Sequence, residues 1–310
     1  MKKLAISFVT FNRAKHIKED LDIIAQPTKE YGIDVYIYDG SKDNRTKYVV
    51  NKIIEKGYNH IHYLHADRNL SSQNSMIQRV NDALTIPDAQ YVWLCGDRFV
   101  INPLFYPEIL SYIDESFDII TIYGGILKGT RKFNSPSRFL DYAIVPITAF
   151  GATIIKKNLI ESYDMQEINK EICSFWLQLS YIRSIANIEK FKGVVIDGGQ
   201  QAFKTSRYKT PSKSRSYMWD TWIIRWNQFI NLLPDAYDNI KKQLFNKPDL
   251  QMGFFSFKEL LRQRSEGQFD WKKYLECREL VKKIIVMPQI YVFCISVLPK
   301  KMAKWLCEKN

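Results

Sequence analysis

Ala89-Gln90-Tyr91-Val92-Trp93-Leu94-Cys95-Gly96-Asp97-Arg98-Phe99 reads as a buried strand that runs into a carboxylate at its tip. In an open α/β sheet, ligands settle in the crevice outside the carboxyl ends of the strands. An acid at that place points to a nucleotide or a metal-bound nucleotide. Arg98 and Phe99 then stand where a second and third acid would follow if the site held a metal in the usual way.

The segments around this strand repeat its logic. Leu4 to Thr10 is an apolar strand, and Asn12 is placed to cap a helix from Arg13 to about Ala25. Asp34 to Asp39 is a second strand, rich in β-branched and aromatic residues. The turn Gly40 to Asn44 leads into a helix through Lys56, which Gly57 ends. His60 to His65, Tyr91 to Cys95 and Phe117 to Tyr123 continue the strands, with a helix from Ser71 to Leu84 between the first two. Strands spaced by helices imply βαβ units and a mostly parallel sheet. Further on, 124–134 and 201–216 read as loops, Ala149 to Ile155 and Gly193 to Gly199 as strands, and Lys157 to Ala186 as mostly helical. From Tyr217 the pattern turns helical and aromatic, so two parts are expected, 1–216 and 217–310. Trp219, Trp222 and Trp226 share a face at helical spacing, and core packing is the simplest use of such a stripe.

Composition narrows the classes. The chain has 310 residues, and its five cysteines are scattered with no C-x-x-C pair, which argues against a disulfide framework or a zinc site. Residues 1–200 hold 24 Lys and Arg against 23 Asp and Glu, whereas 201–310 hold 21 against 10, so nearly all of the +12 net charge lies in the last third. There, Leu280 to Met287, Tyr291 to Ile295 and Lys300 to Leu306 alternate apolar runs with lysines. That suits helices lying in an anionic lipid interface. The basic residues are interleaved with apolar runs rather than clustered, and no nucleic-acid motif appears, so nucleic acid is not the expected partner. No secretory leader pattern opens the chain, and the apolar window Ile284–Leu298, broken by Pro288, is shorter than a membrane span. A cytoplasmic location, peripheral on the inner face of the membrane, is expected.

Three loops at strand ends should face one crevice: Thr10 to Arg13, Asp39 to Ser41 and Gly96 to Arg98. A dinucleotide fold would need G-x-G-x-x-G after the first strand, and a P-loop its own glycines; neither is present. The order Val9-Thr10-Phe11-Asn12-Arg13, Tyr38-Asp39-Gly40-Ser41-Lys42-Asp43-Asn44, Arg68-Asn69-Leu70-Ser71-Ser72-Gln73-Asn74 and Tyr91 to Phe99 resembles the family 2-like nucleotide-sugar glycosyltransferases of GT-A fold, over roughly residues 1–215.

The resemblance implies roles. Thr10, Asn12 and Arg13 would line the nucleotide pocket. Asp39, with Ser41 beside it, would accept a hydrogen bond from the base, and Asn69 and Asn74 would shape the chain near it. Asp97 would meet the ribose or a cation. The family's metal-binding acid falls at Phe99, so a need for Mn2+ or Mg2+ on Asp97 is left open, and Arg98 with the loop residues Lys204, Arg207 and Lys209 offers an alternative neutraliser of the leaving diphosphate. Glu171 is the candidate catalytic base, with Glu167 and Asp164 behind it. The expected activity is inverting transfer of a hexosyl unit from a nucleotide sugar, UDP-linked, to a glycan or lipid-linked polysaccharide precursor. The alternatives are a transferase-like fold without catalysis and, more remotely, a nucleic-acid binder.

Overall fold

The computed structural model describes residues 1–67, 72–97, 99–124, 129–161, 176–199, 202–205 and 218–309. The chain forms two compact units: Met1–Asn169 with Ser180–Lys209, and Lys170–Leu179 with Thr210–Asn310.

The first unit is built on an eight-stranded sheet in the order β3-β2-β1-β4-β8-β6-β9-β7. Its strands are β1 (Lys2–Thr10), β2 (Asp34–Asp39), β3 (Ile61–His65), β4 (Ala89–Gly96), β6 (Ile119–Tyr123), β7 (Arg131–Phe133), β8 (Thr153–Lys156) and β9 (Gly193–Asp197). β1 pairs in parallel with both β2 and β4, and β2 with β3. β8 runs antiparallel between β4 and β6. The order reverses at β1, with β2 on one side and β4 on the other, and this switch point opens a crevice at the carboxyl ends of the strands. α1 (Ala14–Glu30), α2 (Arg45–Ile54), α3 (Ser72–Thr85) and α4 (Tyr106–Asp114) accompany the first strands; α5 (Pro136–Ala143), α6 (Lys157–Glu161) and α7 (Trp176–Ile185) follow, the last with its residues from Ser180 on in this unit and 176–179 in the second. The interior of β1 and β4 is buried almost without break, as strands covered on both faces must be.

Several expectations change. The segment 124–134, read as a loop, contains β7, and 201–216 contains β10 (Phe203–Thr205), which pairs antiparallel with β5 (Phe99–Ile101). Strands of three residues carry too little periodicity to stand out; their register partners create them. Residues 146–148 form a 3-10 turn, so the strand expected from Ala149 begins only at Thr153. Asn12 does not cap α1. It takes the left-handed conformation with φ 57°, which asparagine tolerates better than most residues, and Arg13 holds the cap position without a side-chain cap bond.

The second unit is helical: a π-helical stretch (Asp220–Arg225), then α8 (Trp226–Asn231), α9 (Asp238–Leu244), α10 (Lys247–Met252), α11 (Phe257–Ser265), α12 (Trp271–Glu276), α13 (Arg278–Ile284), α14 (Gln289–Val297) and α15 (Lys300–Lys309). Trp219 stacks on Phe269 at 4.5 Å between ring centres, and Trp222 meets Trp226 at 5.4 Å. Trp219 and Trp226 are therefore core, with Trp222 half-buried at its edge. Gly253, at φ 62°, ends α10 in the left-handed turn that glycine allows. Buried Asp249 then accepts the backbone N–H groups of Phe255 and Val286 at 3.0 and 2.8 Å, tying two connections together.

β9 begins at a glycine because nothing larger fits. A Cβ at Gly193 would stand 2.6 Å from Phe191 Cζ and 2.8 Å from Phe139 Cδ2, both on buried rings. Gly193→Ala should lower stability by about 1–3 kcal/mol through overpacking, read as an earlier midpoint in urea unfolding. An unchanged midpoint would show that the rings move aside freely.

Candidate active site

The strand register sets one row of side chains across the crevice. Val9 lies opposite both Tyr38 and Gly96, Thr10 opposite Asp39, and Asp39 opposite His65. Thr10 is the last residue of β1, Asp39 of β2 and His65 of β3, and Asp97 directly follows β4.

Asp97 is the centre of the row. It is 6% exposed, and each carboxylate oxygen has a partner: Arg13 Nη1 donates to Oδ1 at 2.6 Å and Thr10 Oγ1 to Oδ2 at 2.8 Å. A buried charge needs this company, because burial without a partner costs several kcal/mol. Asp39 organises the next loop. Its Oδ1 accepts the Ser41 N–H at 2.9 Å and the Ser41 hydroxyl, and its Oδ2 accepts the Tyr63 hydroxyl at 2.9 Å. Ser41 Oγ in turn accepts the Asn12 N–H at 2.8 Å, which holds Asn12 in its left-handed turn and joins the β1 and β2 loops. Both ring nitrogens of His65 face carbonyl oxygens, of Ser41 at 2.7 Å and of Ala66.

Two residues of the site escaped the sequence reading. Arg79, on α3, is buried and donates to the Thr10 carbonyl, with its guanidinium 5.8 Å from the centre of the Phe11 ring. Burial lowers its pKa, against the pull of Asp39 and Asp97, which raises it. Asp20, on α1, is fully buried, and neither carboxylate oxygen has a hydrogen-bond partner among the described residues. Burial foremost, then the negative charge of Asp97, pushes its pKa up to about 8. Each had a signal: both sit on the inward stripe of an amphipathic helix, Arg79 with Val80 and Ala83, Asp20 with Ile17, Leu21 and Ile24. Charged residues on a core stripe are rare without a function or a partner.

Of the residues singled out from sequence, the structure gathers Thr10 and Arg13 around Asp97 and Asn12 and Ser41 around Asp39, and the Gly40 N–H joins the two groups by donating to the Thr10 carbonyl at 3.0 Å. Thr10 and Arg13 are the props of Asp97. Asp39 is enclosed, so a base reaches it only after a neighbouring side chain swings away. Asn69, Arg98, Glu171, Glu167, Asp164, Arg207 and Lys209 lie outside the described residues, as do the side chains of Asn74, Phe99 and Lys204.

No protein-family model matches the chain, and no curated protein matches it. Solved structures do. TarS 1-349 of S. aureus aligns with a TM-score of 0.54 at 12% identity, over 99% of this chain and 92% of that one. The same protein in complex with UDP gives 0.52 at 16% identity, over 99% and 92%. The mannosyltransferase PcManGT from Pyrobaculum calidifontis, in complex with GDP-Man and Mn2+, gives 0.52 at 11% identity, over 98% and 86%. The chain has the GT-A fold of nucleotide-sugar glycosyltransferases.

Asp20 makes the stability of the fold depend on pH between about 4 and about 8. Its folded pKa lies above the unfolded value of 3.8, so the folded state holds the extra proton and stability falls as pH rises from about 4 to about 8. Asp20→Asn keeps the shape without the charge. The variant should match the wild type near pH 4 and exceed it by several degrees in Tm above about pH 8. Parallel melting curves at all pH values would show that Asp20 does not titrate in this window.

Proposed function

We propose that the chain transfers a hexosyl unit from a UDP-linked sugar to a glycan or lipid-linked polysaccharide precursor, with inversion. The observation that carries the reading is the row His65, Asp39, Thr10, Asp97 at the carboxyl-end switch point of this fold. The geometry of Asp39 favours uracil. A carboxylate offers about four lone-pair positions, and Ser41 and Tyr63 fill three of them. Once a neighbouring side chain has moved aside to open Asp39, the one left suits the single imide N–H of uracil, whereas guanine presents two donors on that edge. The UDP complex of TarS lends support from a similar fold. Glu171, outside the described residues, is the proposed base.

The acceptor reading rests on the second unit. Ile290, Tyr291, Phe293 and Val297 form an exposed apolar face on α14, and Trp271 and Leu275 on α12 are exposed as well. The two helices meet through Tyr274 and Phe293, with ring centres 5.6 Å apart. Exposed Lys282, Lys283, Lys300, Lys301 and Lys304 flank this face in sequence. Apolar side chains among lysines match an anionic bilayer surface, apolar below and negative above. Among the described residues, no helix is long and apolar enough to cross a membrane. The proposed location is thus the cytoplasmic face of the membrane, held peripherally, where a lipid-linked acceptor would be met.

Thermal shift against UDP, GDP and their sugar conjugates tests the donor. UDP should raise Tm by mass action. Asp39→Ala, which unties Ser41, Asn12 and Tyr63, should weaken UDP binding by about tenfold or more, the loss of at least one charge-assisted hydrogen bond. Hydrolysis and transfer assays separate enzyme from binder: UDP-sugar binding with no turnover on any glycan or lipid-linked acceptor would favour the non-catalytic alternative. Flotation tests the location. Vesicles with anionic lipid should carry the protein, neutral vesicles should not, and Ile290→Asp with Phe293→Asp should abolish flotation while leaving UDP binding intact. Equal flotation of that variant would overturn the α14 face.

A further inference from the structure

The tip of β4 is where the resemblance places a divalent cation, and the residues described there do not fit one. Hard cations take several oxygen ligands with lone pairs to give. Asp97 already has its charge matched: the Arg13 guanidinium donates to one oxygen at 2.6 Å and the Thr10 hydroxyl to the other at 2.8 Å, so a dication would have to compete with Arg13 for it. Position 99 is phenylalanine, not an acid. Asp20, a further carboxylate whose pKa burial foremost and then the charge of Asp97 raise to about 8, holds its proton near neutral pH. Asp39 is enclosed and gives three of its lone-pair positions to Ser41 and Tyr63. Asp39 and Asp97 both act on buried Arg79. Among the described residues, two carboxylates faced by two guanidiniums leave no negative surplus to draw in a dication. Among the described residues, no group of three or more His, Cys, Asp or Glu side chains could hold a metal ion.

We propose that Arg13 is the cation of this site, and that the chain binds a nucleoside diphosphate without a divalent metal. The Arg13 side chain is 27% exposed, so one edge of its guanidinium is committed to Asp97 while another can meet a ligand. A guanidinium carries five N–H donors in a planar fork that matches paired phosphate oxygens. Asp97 fixes that fork in place, and Thr10 fixes Asp97. Asp97 is in this view the positioning residue, and Arg13 the group that touches the diphosphate. The inference rests on the nucleotide-sugar reading above and assigns the charge that offsets the leaving diphosphate.

The test is calorimetric titration of the full chain with UDP, in Mn2+ and in chelator, with the Mn2+ EPR signal followed alongside. The wild type should bind UDP with the same Kd, within about twofold, in both buffers, and should take up no more Mn2+ than UDP alone does. Arg13→Met should weaken UDP binding by about 10- to 100-fold, the scale of one or two charge-assisted hydrogen bonds, and Arg13→Lys should fall between. Asp97→Asn, which removes the carboxylate charge but keeps the shape, should remain indifferent to chelator. Binding that appears only with Mn2+, or Mn2+ uptake that Asp97→Asn abolishes, overturns this inference alone. Full affinity in a folded Arg13→Met variant overturns the part given to Arg13. Absence of UDP binding in either buffer overturns the donor reading and this inference with it.

Discussion

The charge of Asp97 at the buried end of β4 is the constraint around which the crevice is arranged. A carboxylate that is 6% exposed must be compensated, and the compensation comes from the neighbouring strand: Thr10 at the end of β1 and Arg13 at the start of α1. β1 has to end where it does, one register step from Gly96, for that to happen. The β1 loop must then turn sharply, and Asn12 supplies the left-handed residue that permits it. Ser41 holds the turn from the next strand, and Asp39 holds Ser41. The strand tips are thus one hydrogen-bonded assembly, in which the position of each loop depends on the acid beside it.

The same charge reaches into the layers behind the sheet. Arg79 enters from α3 and balances the two carboxylates from below, while donating to the Thr10 carbonyl. Asp20 enters from α1, has no hydrogen-bond partner among the described residues, and is kept neutral by burial and by Asp97 itself. A buried acid of this kind lowers stability at neutral pH, so its presence is better understood through the site than through the core. Proteins commonly retain such strain where function requires it.

The second unit solves a different problem. Its aromatic residues divide between a stacked interior around Trp219, Trp226, Phe255 and Phe269 and an outer set on α12, α14 and α15 that stays exposed. Scattered surface hydrophobics are ordinary. A helix whose exposed positions Ile290, Phe293 and Val297 follow one another at helical spacing is not scattered, and the lysines on either side give the face a matching charge.

The sequence by itself determined the sheet, its main strands and the crevice. The apolar runs ending at Thr10, Asp39 and Asp97 are local signals, since strand periodicity and turn chemistry are written in neighbouring residues. It also determined that the acid at β4 stands without a companion at Phe99. Tertiary structure alone decided what those residues do to one another. That Arg13 pairs with Asp97 rather than facing open solvent depends on a register between strands more than 80 residues apart in the chain, as the separation of 84 shows. That Arg79 and Asp20 belong to the site depends on which way α3 and α1 present their inner stripes, and that β5 and β10 are strands at all depends on each finding the other. Long-range pairing sets these features, and local sequence carries no record of its partner.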